Sequence, residues 1–336
     1  MSLTEPTGSA GAGPRAAGAG ADARAAGPTV DGPRGGGAWR VANAPVNFGI
    51  YRPDGAPLPA DELLAGLAGA GYAGIDNGPP GYLGTRDDLA DRLARHGLGL
   101  AGGWVDLRYD DPDGFAADLA GLDAALDLFA AVPVDDARFA PRPTLACPPD
   151  PARFARPGIP LDATLGLPAE RWPQFADRIQ LAADRCRERG FEPAFHYHLG
   201  TYVETEAEVD RLLELTDVGV CLDTGHLLLA GGDPVAAARR WAGRIRQVHL
   251  KDADPAVQTR VRADGGGLTE IVAAGGFCRL GTGAVDLPGV LSALAGTGYA
   301  GWLVVEQDAA AGRRDADRML ADQRANRDEL ARLGVR

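Results

Sequence analysis

From Val46 onward, short apolar runs alternate with longer stretches whose apolar positions recur at helical spacing. The runs that read as strands are Val46–Ile50, Gly74–Asn77, Leu98–Val105, Pro143–Cys147, Pro193–His198, Val218–Asp223, Ile245–Lys251 and Trp302–Glu306. Between them the helical period predicts helices over Asp61–Ala70, Arg86–His96, Phe115–Ala131, Arg171–Arg189, Glu206–Leu215, Pro234–Gly243 and Leu287–Ala295, with a last one from about Asp315 to Leu333. Strands that alternate with helices of about ten residues or more form βαβ units, and hence a parallel sheet. About eight such units close into a barrel, so the expected fold is α/β, a (β/α)8 TIM barrel. Turn chemistry agrees. Gly71, Gly97 and Gly190 each end a helical pattern just before a strand, where a left-handed cap is favoured. Asp233-Pro234 sets a capping carboxylate before a first-turn proline.

Met1 to about Gly37 is a run of Gly, Ala, Pro and Arg with too little apolar surface to offset its chain entropy. It reads as a disordered N-terminal extension, with residues 1–38 as tail and residues 39–336 as a single catalytic domain. Two long connections follow strands, Pro148–Ala169 and Ala253–Gly283. In a barrel both lie on the catalytic face, where long loops serve as lids or substrate walls. The Gly265–Gly267 run in the second reads as a flexible lid segment.

Charge and cysteine content narrow the function. With 34 basic against 46 acidic residues the net charge is −12, which argues against a nucleic-acid partner. Cys147, Cys186, Cys221 and Cys278 form no C-x-x-C pair and read as reduced thiols. No apolar stretch reaches membrane-span length, and the N-terminus lacks the charged start and apolar run of a signal peptide, so a cytoplasmic location is expected. Lys251 is the only lysine among 34 basic residues. Lysine, unlike arginine, can shift its pKa and give up a proton.

Chemistry-bearing residues gather at the ends of the last four strand candidates. His196 and His198 close the fifth; Asp223 closes the sixth, with His226 three residues on. His249 lies near the end of the seventh, and Glu306 closes the eighth. Parallel strands deliver their C-termini to one face, so these groups converge without adjacency in sequence. Residues i and i+2 of a strand share a face, which pairs His196 with His198 and His249 with Lys251. A His, Asp, His and Glu set suits a divalent cation with mixed nitrogen and oxygen ligands, such as Mn²⁺, Co²⁺ or Zn²⁺. Without thiolates it does not suit a structural zinc. Gly281-Thr282-Gly283 with Asp286 lacks the third glycine and the preceding strand of a dinucleotide loop, and reads as loop chemistry with a helix cap.

At these residues the chain resembles the xylose isomerase-like barrel superfamily of sugar isomerases and epimerases. Within it, the chain is similar to the inosose dehydratase (2-keto-myo-inositol dehydratase) family. The resemblance is carried by His196–Thr201 with Glu204-Thr205, by Leu222–His226 running on to Gly231–Pro234, and by Val248–Asp252 and Gly281–Asp286. Gly71–Gly74 continuing into Gly78–Leu83 adds an earlier stretch. It implies a metal held at the ends of strands five to eight, commonly by Glu, Asp, His and Glu, positions matched here by His196, Asp223, His249 and Glu306. The strand-five Glu is replaced by His196, which removes one of the two carboxylates that two-base epimerases of this scaffold use. Asp76 stands where inosose dehydratases tend to have Glu.

The activity so implied is dehydration of a small polyol or keto-sugar, a keto-inositol such as scyllo-inosose, with Mn²⁺ or Co²⁺ as the expected metal and Mg²⁺ or Zn²⁺ as further choices. Elimination needs one base and one acid. Glu306 is the first choice of base, with His198 or Lys251 as substitutes because coordination weakens a carboxylate. His198 and His226 are candidate acids, expected to titrate in the neutral range. Asp76, Tyr82 and Trp104 are candidate substrate contacts. The competing activities are a sugar or keto-sugar isomerase or epimerase on the same barrel, dehydration of another hydroxy-ketone, and non-catalytic polyol binding. Barrels of this kind often pair, so a homo-oligomer fits the reading; a membrane partner does not.

Overall fold

The structure, a computed structural model, describes residues 38–50, 57–309 and 316–336. The expectation of disorder for the N-terminal tail falls on residues outside these, apart from Ala38, whose carbonyl accepts a hydrogen bond from the Gly301 amide.

The barrel strands are β1 (Trp39–Asn43), β2 (Gly74–Asp76), β3 (Gly99–Asp106), β4 (Arg142–Ala146), β5 (Ala194–His196), β6 (Gly219–Asp223) and β7 (Ile245–Leu250). After them come β8 (Asp252–Ala253) and β9 (Phe277–Cys278), which form a small antiparallel ladder. The last barrel strand, β10 (Gly301–Val305), then closes the ring against β1. Neighbours around the ring pair in parallel, with Trp39 opposite Gly301 through to Asn43 opposite Val305 at the seam. This is a closed (β/α)8 TIM barrel. Among the described residues, no helix is long and apolar enough to cross a membrane.

The first strand lies earlier than the apolar pattern suggests. Val46–Ile50 is not a strand: Pro45–Phe48 is a 3₁₀ helix closed by Gly49 in the left-handed region. Pro45 has no N–H for a ladder and its fixed φ suits a first helical turn. The strand is Trp39–Asn43, whose apolar residues are interrupted by Arg40.

At the end where the strands begin, the barrel interior is filled by Trp302, packed with Ala42, Ala101, Phe139 and Val304. Its indole fits because residue 74 is glycine: a Cβ there would sit 2.6 Å from the ring. The outer helices bury one apolar face each, as in Ala60–Gly69 through Leu63, Leu64 and Leu67. The C-terminal helix Ala316–Arg332 docks through a polar cluster. The Gln323 side-chain oxygen accepts from Asn43, Asn47 and Asn326 at 3.0, 3.2 and 3.1 Å.

Both long connections are tied down. In 148–169, the Gly158 amide donates to Glu204, the Ile159 amide to the Leu229 carbonyl, and Arg153 pairs with Glu208. In 253–283 two helices form, Pro255–Ala263 and Leu268–Ala273. Gly265–Gly267 is the turn between them, with Gly265 and Gly266 donating to the carbonyls of Arg262 and Val261. The expected flexible lid is therefore a capped helical hairpin. Gly281-Thr282-Gly283 is a clasp: both glycine amides donate to the Asp252 carboxylate at 2.9 Å, and Asp286 caps the next helix through the Gly289 amide.

Candidate metal centre

Asp223, the last residue of β6, is held at both ends of its backbone and on one oxygen. The Tyr197 hydroxyl accepts from its amide at 2.9 Å and donates to its carbonyl at 2.7 Å. Its Oδ1 caps the following helix, Thr224–Leu229, by accepting from the His226 amide at 2.8 Å. That leaves Oδ2 directed into the barrel mouth. Thr224 in turn exchanges two hydrogen bonds with the Lys251 backbone, locking the ends of β6 and β7 together.

Around Asp223 Oδ2 the other strand ends converge. His196 Nε2 lies 3.4 Å away and His249 Nδ1 3.9 Å away. Glu306, one residue past β10, receives a 2.9 Å hydrogen bond from His249 Nδ1. One ligand atom from each of His196, Asp223, His249 and Glu306 lies within 4.8 Å of the others. Among the described residues, Asp223 Oδ2, both ring nitrogens of His196 and His249 Nε2 are buried without hydrogen-bond partners. Orphaned buried polar atoms are costly and rare. A divalent cation bonded at about 2.0–2.2 Å to such nitrogens and oxygens would satisfy them together. The residues present therefore fit the expected metal.

Next to this quartet is a second cluster. The Lys251 ammonium donates to His226 Nε2 at 2.8 Å and to Asp308 Oδ2 at 3.0 Å, and it lies 3.1 Å from Glu306 and 3.5 Å from Asp223. His226 therefore carries its proton on Nδ1. His198 lies beyond β5, its ring 3.7 Å from that of His226, with its Nδ1–H given to the Leu199 carbonyl at 2.7 Å. The Lys251 stem passes because residue 225 is glycine; a Cβ there would come within 2.6 Å of Lys251 Cγ.

The electrostatics revise three expectations. Burial would lower the Lys251 pKa, yet Asp223, Asp308 and Glu306 outweigh it and hold the group charged in the metal-free protein, against its expected use as a base. Burial, the Lys251 charge and His196 push His198 down to about 3, and burial, His198 and Lys251 hold His226 well below the usual range. In the metal-free protein both histidines are thus held below the neutral range expected of an acid. The carboxylic acid group is Asp308, pushed up to about 6 by burial and the nearby Glu306 against the pull of Lys251. Glu306 itself is held well below the usual range, because Lys251 and His249 outweigh burial.

A cavity of about 380 Å³ opens over these groups. Its floor includes His196, His198, His249, Glu306 and Asp308, and its walls include Val46, Trp104, Phe154, Leu268 and Val272. Trp104 stands edge-on to both His196 and His198. Asp76 lies deeper than a rim contact: its carboxylate is 3.6 Å from His249 Nε2, and burial raises its pKa to about 7. Tyr82 is a correction. It does not line the cavity, and its hydroxyl donates to the Leu58 carbonyl at 2.6 Å. Asp308 escaped the sequence reading although it follows Glu306 by two residues, the same spacing that pairs His249 with Lys251.

The profile of the xylose isomerase-like TIM barrel family matches residues 64–329. The chain belongs to that family. It is 36% identical over 259 residues to the rhizopine catabolism protein MocC of Rhizobium meliloti, an alignment covering 76% of each chain. It is 38% identical over 142 residues to the inosose dehydratase of Geobacillus thermodenitrificans, covering 41% of this chain and 48% of that protein, so this match spans about half of the relative. Among solved structures, the IOLI protein with a bound zinc superimposes with a TM-score of 0.64 at 15% identity, over 88% of this chain and 98% of the other. L-ribulose 3-epimerase gives 0.62 at 19% identity, over 88% and 94%. At such identities these two speak for the fold alone.

Proposed function

We propose that the chain is a divalent-metal-dependent hydro-lyase that removes water from a keto-inositol, with scyllo-inosose as substrate and Mn²⁺ or Co²⁺ as the metal. The observation that carries this reading is the quartet His196, Asp223, His249 and Glu306, with its orphaned ligand atoms, of which His196, His249 and Glu306 line a cavity of small-molecule size. The similarity to inosose dehydratases supports the choice of reaction. A cation held by the quartet supplies Lewis-acid stabilisation for negative charge developing on a ketone oxygen.

The protein groups supply the proton transfers. Glu306 is engaged by both His249 and Lys251, which suits it to holding charge and not to taking a proton. His198 lines the cavity, is neutral above about pH 3 and has its Nδ1–H committed, so Nε2 is the acceptor for the proton α to the ketone. It is a weak base until the substrate carries compensating negative charge, which ties its action to the transition state. Asp308, also on the cavity floor, delivers a proton to the departing hydroxyl, which leaves as water. His198 and Asp308 both line the cavity and exchange the proton with solvent between turnovers, while Lys251, bonded to His226 and Asp308, positions the Asp308 carboxyl. Trp104 and Asp76 bound the substrate space.

The test is a time course with scyllo-inosose on chelator-stripped protein, following product mass with and without restored Mn²⁺ or Co²⁺. Loss of one water only after metal is restored is the expected result. Solvent deuterium entering the substrate without water loss would instead identify a keto-sugar isomerase or epimerase.

A further inference from the structure

The proposed reaction uses one metal ion, yet the barrel mouth holds ligating side chains for more. One atom each from His198, His226 and Asp308 lies within 4.8 Å of the others, beside the first quartet. The group that fills this second cluster is the Lys251 side chain, 1% exposed. Its ammonium faces one imidazole nitrogen, His226 Nε2, and three carboxylates, those of Asp308, Glu306 and Asp223, at 2.8 to 3.5 Å. An imidazole with carboxylates is the donor set of a divalent ion such as Mn²⁺, Co²⁺ or Zn²⁺. The distances are those of N–H donors and longer than metal bonds.

Two further observations mark the position as built for an ammonium. It holds the only lysine in a chain that otherwise uses arginine for every basic side chain. Gly225 leaves the channel its stem needs, with Cβ-to-stem approaches of 2.6 to 3.0 Å if any side chain were added. A guanidinium is larger and flat, and cannot present one compact charge to four partners.

We propose that Lys251 is a built-in cation standing in for a second divalent ion. The wild-type chain is then a one-ion centre, and removing the ammonium together with its stem opens a second site ligated by His226, Asp308 and Glu306, with His198 at its edge. The driving force is the uncompensated charge left behind, since stripping one partner from a buried ionic cluster is strongly unfavourable and a cation restores the balance.

The inference rests on the quartet only for the ion count of the wild type, and the test separates the two. Metal-stripped wild type, Lys251→Ala, Lys251→Met and the double variant Lys251→Ala/His226→Ala are dialysed to equilibrium against Co²⁺. Bound ion per chain is counted by elemental analysis, and folding is checked by circular dichroism. The expected counts are one, two, one and one, because the methionine stem refills the space without charge and His226→Ala removes a ligand of the new site. Should Lys251→Ala not fold, Lys251→Ser carries the same expectation. A folded Lys251→Ala or Lys251→Ser that binds no more Co²⁺ than wild type overturns the proposal, as does a wild type that binds two. A wild-type count of zero, with the extra ion still gained on removing Lys251 and lost with His226→Ala, sinks the quartet and leaves this inference standing.

Discussion

Where the barrel strands begin, Trp302 occupies the room left by glycine at positions 74 and 99, and its indole N–H donates to the Phe139 carbonyl at 2.9 Å. Where the strands end, His196, Asp223, His226 and His249 keep buried polar atoms with no hydrogen-bond partner among the described residues. One end is apolar, filled and hydrogen-bonded; the other concentrates charge around atoms that lack partners. The contrast separates the residues that hold the fold from those that hold the chemistry, as expected of barrels whose reactive groups sit at the C-terminal face. It also gives each end a different signature under mutation.

The largest effect is expected from His249→Ala. It should abolish metal retention and lower turnover by about 10³-fold or more, the cost of losing several kcal/mol of charge stabilisation. The metal-free protein should also lose stability, because buried Glu306 is left without its His249 partner, and urea unfolding reads that loss separately from turnover. His198→Ala should retain metal yet lose turnover by about 10²- to 10⁴-fold, as for loss of a positioned base; normal turnover would remove His198 from the reaction. At the opposite end, Trp302→Ala should cost about 3–5 kcal/mol of stability and leave the bound ion count unchanged. If it strips the metal, the two ends are not separable.

A pH series sharpens the contrast at the chemical end. In the metal-free protein Asp76 has a folded pKa raised to about 7, so between its unfolded value near 4 and about 7 the folded state binds the extra proton. Stability therefore falls as pH rises through that window. Asp76→Asn should flatten the fall and stabilise the metal-free protein above neutral pH by a few kcal/mol on this order. An unchanged slope would contradict the assignment. The smallest effect belongs to Tyr82→Phe. Losing the bond to the Leu58 carbonyl should cost about 1 kcal/mol of stability without altering turnover.

The barrel was legible because its pattern is local: each βαβ unit shows its period and turn residues within a few dozen positions. The first strand was not, because Arg40 breaks the apolar run Trp39–Asn43 while Val46–Ile50 imitates one, and only pairing with β10 decides between them. The chemical residues were legible by place, since a parallel barrel sends strand ends to one face. Their protonation was not. Whether Lys251 or Asp308 holds a proton depends on which carboxylates gather around the ammonium, and those come from β6 and the segment after β10. Tyr82 shows the reverse: a polar aromatic on an early loop looks like a sugar contact until its hydroxyl is seen to be spent on Leu58.

The most direct test of the central claim is to measure water loss from scyllo-inosose while Co²⁺ occupancy of the stripped protein is raised stepwise, in wild type and His249→Ala side by side. Dehydration that climbs in proportion to occupancy in the wild type, saturates at one ion per chain and is absent from His249→Ala is the predicted result. Water loss that is independent of occupancy, or that survives in His249→Ala, would contradict the account.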